Sequence, residues 1–181
     1  MKFLTAPAWR GVIALGLVFI ALFVADDGRA GADSRQLKPW TGPAPDFALA
    51  DAQGIRTALA PGGASATIVH FFATWCEPCR EELPALTRLA QRTQGVRVIA
   101  ISVAEPEMRV RRFLYANPTG FPVLLDGDRA VARAWGVATL PTSFVLGAAL
   151  EPQLAAEESV NWDLYEPQPN AAAKQTSAQA Q

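Results

Sequence analysis

The chain has 181 residues, a length that allows one domain with extensions at its ends. Its formal net charge is −1, which gives no basis for predicting a nucleic-acid partner. It contains two cysteines and one histidine, too few to complete a structural zinc site with four ligands, so no metal is expected.

The N-terminal segment, residues 1–25, has the charge pattern of an export signal. Lys2 and Arg10 precede an uncharged apolar run over residues 11–25, and an acidic pair follows, which predicts that the rest of the chain lies on the periplasmic side of the inner membrane. As a helix the run rises about 22 Å, less than the roughly 30 Å of the hydrocarbon core, and this length suits a signal peptide cleaved after Ala32. The charged residues that crowd this cleavage site favour a retained membrane anchor, which is the interpretation we prefer.

Composition and periodicity then predict a tether over residues 26–42, one folded domain over 43–165 and a disordered tail over 166–181. The domain opens with a hairpin around a Gly-containing turn. Further strands are expected at residues 67–72, 96–103, 121–125, 143–146 and 153–158, with a helix after each of the first three. This order predicts an α/β fold, a central mixed β-sheet flanked by helices, with an added N-terminal β-hairpin.

Both cysteines lie in the sequence Trp75-Cys76-Glu77-Pro78-Cys79, where a buried strand meets a helix. Cys76 falls at the helix N-terminus, where unpaired N–H groups and the helix dipole stabilise a thiolate, the attacking species in disulfide exchange. Cys79 is close enough in the chain to close a ring with Cys76 and release a mixed-disulfide partner. A purely structural disulfide is the alternative, but so short a loop contributes little stability.

The residues between the cysteines favour a reductant over an oxidant. Pro78 removes a backbone N–H that could stabilise the Cys76 thiolate, and Glu77 adds negative charge beside it. Because a less stabilised thiolate makes the dithiol give up its electrons more readily, we expect a reducing protein.

Three stretches of the chain carry a family resemblance: residues 72–79 (Phe-Ala-Thr-Trp-Cys-Glu-Pro-Cys), residues 136–144 (Gly-Val-Ala-Thr-Leu-Pro-Thr-Ser-Phe) and residues 45–47 (Pro-Asp-Phe). They resemble the thioredoxin superfamily and, within it, the membrane-tethered TlpA/ResA group of thiol–disulfide oxidoreductases. The likeness covers residues 43–163 and implies a thioredoxin-like fold with the cysteine pair as its redox-active disulfide.

The resemblance implies roles for the residues around the cysteines. Pro141 would be a cis-proline packed against the disulfide, and with Leu140 it would form the edge at which an extended substrate chain pairs. Trp75, Glu77 and Pro78 would support the active site.

A carboxylate further along the same helix is a second implied site residue. The glutamate between the cysteines resembles the ResA branch, which keeps apocytochrome c thiols reduced for haem attachment. Glu82 matches a carboxylate near the active site of that branch, and the alternative is a solvated helix carboxylate.

His70, the only histidine, lies six residues before Cys76. Thioredoxins place at that position a buried acid that carries the proton of the resolving thiol, and a histidine titrates near neutral pH. We therefore consider His70 a candidate for moving the Cys79 proton. The alternative is a structural histidine whose hydrogen bonds are satisfied by the sheet.

The end of the domain departs from the family pattern. The group closes with a C-terminal helix, whereas residues 162–165 here run into a Pro-containing segment and an Ala/Gln tail without an apolar stripe. We therefore expect one sheet face to be less covered and to leave an apolar patch.

These features together predict a protein-disulfide reductase that acts on exported proteins, with apocytochrome c as one possible substrate. No nucleotide or flavin motif is present, so we expect no cofactor and a membrane dithiol protein as electron donor. A periplasmic oxidant or isomerase remains an alternative, as does a Cu(I) metallochaperone that uses the two soft thiolates. A peroxide-reducing role is disfavoured, because the motif pairs two cysteines.

Overall fold

A computed structural model describes residues 36–167 of the chain. The predicted signal or anchor, most of the predicted tether and most of the predicted tail lie outside these residues. Within residues 36–167, no helix is both long enough and apolar enough to cross a membrane.

Strands and helices alternate through the middle of this range. In chain order the elements are β1 (Lys38–Pro39), β2 (Ala48–Ala50), β3 (Arg56–Ala58), β4 (Ala66–Phe72), α1 (Glu77–Arg92), β5 (Val96–Val103), α2 (Glu107–Ala116), β6 (Val123–Asp126), α3 (Ala130–Ala134), β7 (Thr142–Leu146) and β8 (Pro152–Ala156). The predicted α/β class and the N-terminal hairpin, β2–β3, are both confirmed.

The main sheet has six strands in the order β1-β8-β7-β4-β5-β6. Strands β4, β5 and β6 run parallel, whereas β7 is antiparallel to β4, β8 to β7 and β1 to β8. The predicted mixed sheet is therefore confirmed. The parallel strands β4 and β5 are both interior strands and read as near-continuous apolar runs, as expected for strands covered on both faces.

Alternate residues of β4 face opposite sides of the sheet. Val69 and Phe71 belong to the apolar cluster on one side, and Ile68 and Phe72 belong to clusters on the other. His70 therefore faces the side of Ile68 and Phe72, which is the side that α1 covers.

Helices α1 and α2 pack on this second side of the sheet. The apolar stripe predicted for α1 is buried, with Leu83, Leu86 and Leu89 at 3% exposure or less. Leu86 and Leu89 share a cluster with Ile68, while Leu83 and Val110 of α2 share a cluster with both cysteines. The same apolar contacts that fix α1 on the sheet thus fix the position of its N-terminus.

An aromatic cluster and α3 cover the opposite side. The ring of Phe144 lies 4.5 Å from Trp40, 5.0 Å from Trp135 and 5.8 Å from Phe71, centroid to centroid. The indole N–H of Trp135 donates to the carbonyl of Pro45, 3.0 Å away, so the chain before the hairpin is tied to the domain.

The predicted tether, residues 26–42, ends earlier than expected. Leu37 is buried, Lys38–Pro39 pairs with β8, and the Trp40 ring packs on the aromatic cluster. The prediction was wrong here because a strand of two residues carries no periodicity, and its partner strand lies more than a hundred residues later in the chain.

The prediction of an uncovered apolar patch at the end of the domain was also wrong. Residues 159–165, which we call the C-terminal strap, form no helix, yet Val160, Trp162 and Tyr165 are buried against the cluster of Leu86 and Leu89. Three apolar side chains at uneven spacing therefore cover the face that was expected to be left exposed.

The aromatic cluster should contribute strongly to stability. Phe144→Ala removes a buried ring that contacts three other rings, so we expect the free energy of unfolding to fall by about 3–5 kcal/mol in urea titrations of the oxidised protein. Tyr115→Ala is the matched control, because Tyr115 is 93% exposed, and it should change stability by no more than about 0.5 kcal/mol. Equal effects of the two substitutions would contradict the assigned core.

Candidate active site

The cysteine pair lies where β4 passes into α1. Every residue of β4 is buried, and the chain turns through Ala73–Trp75 before Cys76, which is the N-cap of α1. The backbone N–H of Cys76 donates to the carbonyl of Ala73, 3.1 Å away, and this bond closes the turn. A disulfide joins Cys76 to Cys79, so the motif is present in its oxidised form.

The two sulfur-bearing residues differ in exposure. Cys76 is 6% exposed, whereas Cys79 is fully buried in the first turn of α1. Of the two residues, only Cys76 retains some exposed surface, and the predicted roles of nucleophile and resolving thiol stay predictions.

The neighbours of the cysteines take different positions. Trp75 is 65% exposed, beside the disulfide. Glu77 and Pro78 begin α1 and are both exposed. The predicted supporting roles of these three residues stay predictions.

The loop before β7 comes close to the same point. The peptide bond between Leu140 and Pro141 is cis, the isomer that the resemblance implies. Leu140 packs against the cluster that contains Cys76 and Cys79, although it lies more than sixty residues later in the chain. With Trp75 and Val137 it also lines a surface groove of about 340 Å³ beside the disulfide.

Glu82 lies in the interior of the protein, so the alternative of a solvated helix carboxylate was wrong. It follows Cys79 by three residues on α1, which places both on the same face of the helix, and it is 4% exposed. The backbone N–H of Val160 donates to Oε1 at 2.5 Å, and the indole N–H of Trp162 donates to Oε2 at 3.3 Å.

His70 contacts this carboxyl from the sheet. Its Nδ1 lies 3.5 Å from Oε2 of Glu82 and 2.9 Å from Oγ of Ser143 on β7. His70 is fully buried, and its ring stacks on Phe72 with centroids 6.1 Å apart. The structure thus brings together His70, the candidate for moving the Cys79 proton, and Glu82, the carboxylate that the resemblance implies near the active site.

Burial acts on these two groups in opposite directions. Desolvation raises the pKa of Glu82 from 4.5 to about 7, although the donors Val160, Trp162 and Ser159 act to lower it. Desolvation lowers the pKa of His70 to about 3, so the imidazole is neutral at neutral pH. Glu82 is the member of the pair that can exchange a proton near pH 7.

Sequence reasoning missed a second buried carboxylate, Glu105. Its Oε2 accepts from the backbone N–H of Thr74 at 2.7 Å and from the Ser102 hydroxyl at 2.7 Å, and its Oε1 accepts from the Thr74 hydroxyl at 2.5 Å. Glu105 thereby anchors the turn that leads into Cys76. Glu105 lies just before α2, and nothing in the sequence near it indicates that Thr74 is its partner.

Val160 and Trp162 were missed as neighbours of the site. They reach Glu82 from 78 and 80 residues away in the chain. The only available signal was a tryptophan in a segment that otherwise lacked an apolar stripe.

Comparison with known proteins gives consistent matches. The sequence profile of the AhpC/TSA family matches residues 41–150. The thiol–disulfide oxidoreductase ResA of Bacillus subtilis is 37% identical over 105 residues, which cover 57% of this chain and 59% of that protein. The ResA of Halalkalibacterium halodurans is 32% identical over 136 residues, which cover 74% of this chain and 73% of that protein.

Solved structures match as well. The crystal structure of a thiol:disulfide interchange protein of the thioredoxin family from Chlorobium tepidum is 26% identical, has a TM-score of 0.60, and is matched over 69% of this chain and 91% of that one. The predicted thioredoxin-like fold is confirmed by this likeness. The match to the Bacillus subtilis relative spans only about three fifths of that protein's length.

The buried carboxyl should make stability depend on pH. Because the pKa of Glu82 is higher in the folded than in the unfolded chain, the free energy of unfolding falls as pH rises from about 4.5 to about 7. Each pKa unit corresponds to about 1.4 kcal/mol, so the loss can reach about 3 kcal/mol. The Glu82→Gln variant cannot lose this proton, so its own stability should not fall in this way. The difference in the free energy of unfolding, variant minus original protein, should therefore increase by up to about 3 kcal/mol between pH 4.5 and pH 7.

Urea titrations of both proteins between pH 4 and pH 8 measure this difference. Glu81→Gln on the exposed side of α1 is the control and should show a constant difference. A stability difference for Glu82→Gln that does not change with pH would contradict a raised pKa at this site.

Proposed function

The chain belongs to the thioredoxin-like AhpC/TSA family, and from this premise we propose that it is a thiol–disulfide oxidoreductase that reduces disulfides in exported proteins. The observation that carries the proposal is the Cys76–Cys79 disulfide at the N-terminus of α1, in which Cys76 is 6% exposed and Cys79 is fully buried. ResA relatives described as thiol–disulfide oxidoreductases support the same chemistry.

The reaction proceeds in two exchanges. The Cys76 thiolate attacks a substrate disulfide, forms a mixed disulfide and expels one substrate thiolate. The Cys79 thiolate then attacks the Cys76 sulfur, which releases the second substrate thiolate and leaves the Cys76–Cys79 disulfide. Two electrons pass to the substrate, and a dithiol donor must return them to the protein.

The second exchange requires Cys79 to lose its proton inside the protein. Glu82 lies on the same helix face, is buried with it and has a pKa of about 7, so it can accept that proton near neutral pH. His70 is neutral there and contacts Glu82 directly at 3.5 Å. We therefore assign the proton transfer to Glu82, and His70 acts through it.

The residues of the motif favour reduction as the direction of the reaction. Pro78 has no N–H to offer a thiolate at the helix N-terminus, and Glu77 is an exposed carboxylate in the same turn. Both weaken the stabilisation that this helix end gives to a Cys76 thiolate, and a thiolate that is less stabilised belongs to a stronger reductant.

The groove beside the disulfide is suited to an extended substrate segment. Leu140 and Pro141 precede β7, and Trp75 offers a large apolar surface next to Cys76. A substrate backbone can pair along the Leu140–Pro141 edge while its side chains contact the apolar groove.

The physiological role that we propose for this activity is the maturation of c-type cytochromes. The resemblance of the glutamate between the cysteines to the ResA branch supports apocytochrome c as a substrate, with a membrane dithiol protein as donor. The charge pattern of residues 1–25 supports a location on the periplasmic side of the inner membrane, retained by that segment.

Trapping of the mixed disulfide tests the assigned roles. With Cys79→Ser the second exchange cannot occur, so the reduced variant should accumulate a mixed disulfide through Cys76 when mixed with an oxidised Cys-x-x-Cys-His peptide of the c-type haem-attachment pattern. Mass spectrometry under non-reducing conditions detects the adduct.

Cys76→Ser is the matched control and should form no adduct, because Cys79 is buried. An adduct that forms equally with Cys76→Ser would contradict the assignment of nucleophile and resolving thiol. If the adduct forms as readily with an unrelated disulfide peptide, the proposed reductase activity stands, but the proposed preference for apocytochrome c is contradicted.

A further inference from the structure

The C-terminal strap does more than cover the core, because its polar groups converge on one carboxyl. The Val160 amide donates to Oε1 of Glu82 and the Trp162 indole donates to Oε2, and the neighbouring Ser159 side chain acts to lower the pKa of the same carboxyl. These donors lie within four consecutive residues of a segment without helix or strand.

The strap is fastened to the helix that carries the cysteines. Arg88 donates through two nitrogens to the carboxylate of Asp163, at 2.8 and 2.7 Å. Arg92 donates to the backbone carbonyls of Trp162, Asp163 and Tyr165. The strap therefore has a fixed position on α1, and its donors have a fixed position relative to Glu82.

Trp162 is the member of the strap with a side chain aimed at the site. It is fully buried, and its ring packs at 5.4 Å from that of Tyr165. Its single polar atom, the indole nitrogen, reaches the same Oε2 that lies 3.5 Å from His70. A buried indole N–H needs an acceptor, and the acceptor that Trp162 takes is the carboxyl of Glu82.

We propose that Trp162 is a positioning residue, whose indole N–H fixes the Glu82 carboxyl beside His70 and favours its ionised form. This inference deepens the proposed function, since it rests on Glu82 as the acceptor of the Cys79 proton. It adds to the redox site a residue 83 positions after Cys79, from a segment with no regular secondary structure.

Few other titratable or charged groups lie close enough to Glu82 to influence its pKa. On the sheet side the titratable neighbour is His70, which is neutral near pH 7 and is bonded to Ser143. The strap presents an amide, an indole and a hydroxyl, and its ion pair with α1, Arg88–Asp163, is about half exposed. On α1 itself Cys79 is in the disulfide in the oxidised protein.

The first experiment is an NMR pH titration of the oxidised full chain. The indole N–H resonance of Trp162 should shift with the same midpoint, near pH 7, as the Glu82 carboxyl carbon, and this step should vanish in Glu82→Gln. Trp135 is the internal control, because its indole donates to a backbone carbonyl and should show no such step. A Trp162 resonance that does not respond to Glu82 would overturn the proposal.

The second experiment removes the donor. Trp162→Phe keeps a buried ring but loses the indole N–H, and because hydrogen bonds to a carboxylate favour its charged form, the Glu82 midpoint should move upward by about one pH unit. Tyr165→Phe is the matched control in the same strap and should leave the midpoint unchanged. An unchanged midpoint in a folded Trp162→Phe would refute the positioning role and leave the proposed reductase activity standing.

A kinetic readout separates this proposal from the one on which it rests. The pH midpoint for release of a substrate thiol from the Cys76 mixed disulfide should move with the Glu82 midpoint. If the Glu82 midpoint moves in Trp162→Phe and the release does not follow it, Glu82 is not the proton acceptor and only the positioning of its carboxyl stands. If Trp162→Phe does not fold, the NMR pH titration of the chain without substitutions tests the positioning role on its own.

Discussion

A carboxyl buried between a helix and a sheet governs the arrangement of this protein. Glu82 is 4% exposed, and a carboxyl in such a position must be hydrogen-bonded or lose its charge. Both apply to Glu82: the C-terminal strap donates hydrogen bonds to its carboxyl, and burial still raises its pKa to about 7. The packing of the C-terminal strap onto α1 satisfies this group and also buries Val160, Trp162 and Tyr165.

The redox pair depends on the same helix. Apolar contacts of Leu83, Leu86 and Leu89 fix α1 on the sheet, so that Cys76 caps the helix at the end of β4 while Cys79 is buried one turn later. Cys76 keeps a small exposed area, and the fully buried Cys79 shares a helix face with the carboxyl. One amphipathic helix therefore positions both cysteines and places Glu82, the proposed proton acceptor, on the face of Cys79.

Local patterns in the sequence were enough to predict the central strands and the cysteine motif. Strand β5 spans Val96–Val103 as expected from its apolar run, and the disulfide lies at the expected strand–helix junction. Features that depend on distant partners could not be predicted: β1 pairs with a strand near the other end of the domain, and Trp162 reaches Glu82 across 80 residues. The alternation of β4 could have placed His70 on the α1 side, but its contact with Glu82 also depends on how α1 lies on the sheet.

The central claim is that the Cys76–Cys79 pair is a dithiol reductant, and its reduction potential tests that claim most directly. The full chain would be equilibrated with dithiothreitol or glutathione buffers at pH 7, and the reduced fraction read by thiol alkylation and mass spectrometry. The account predicts a potential near or below about −250 mV, in the range of reducing thioredoxin-type pairs. A value above about −150 mV would contradict it and indicate a protein that forms disulfides.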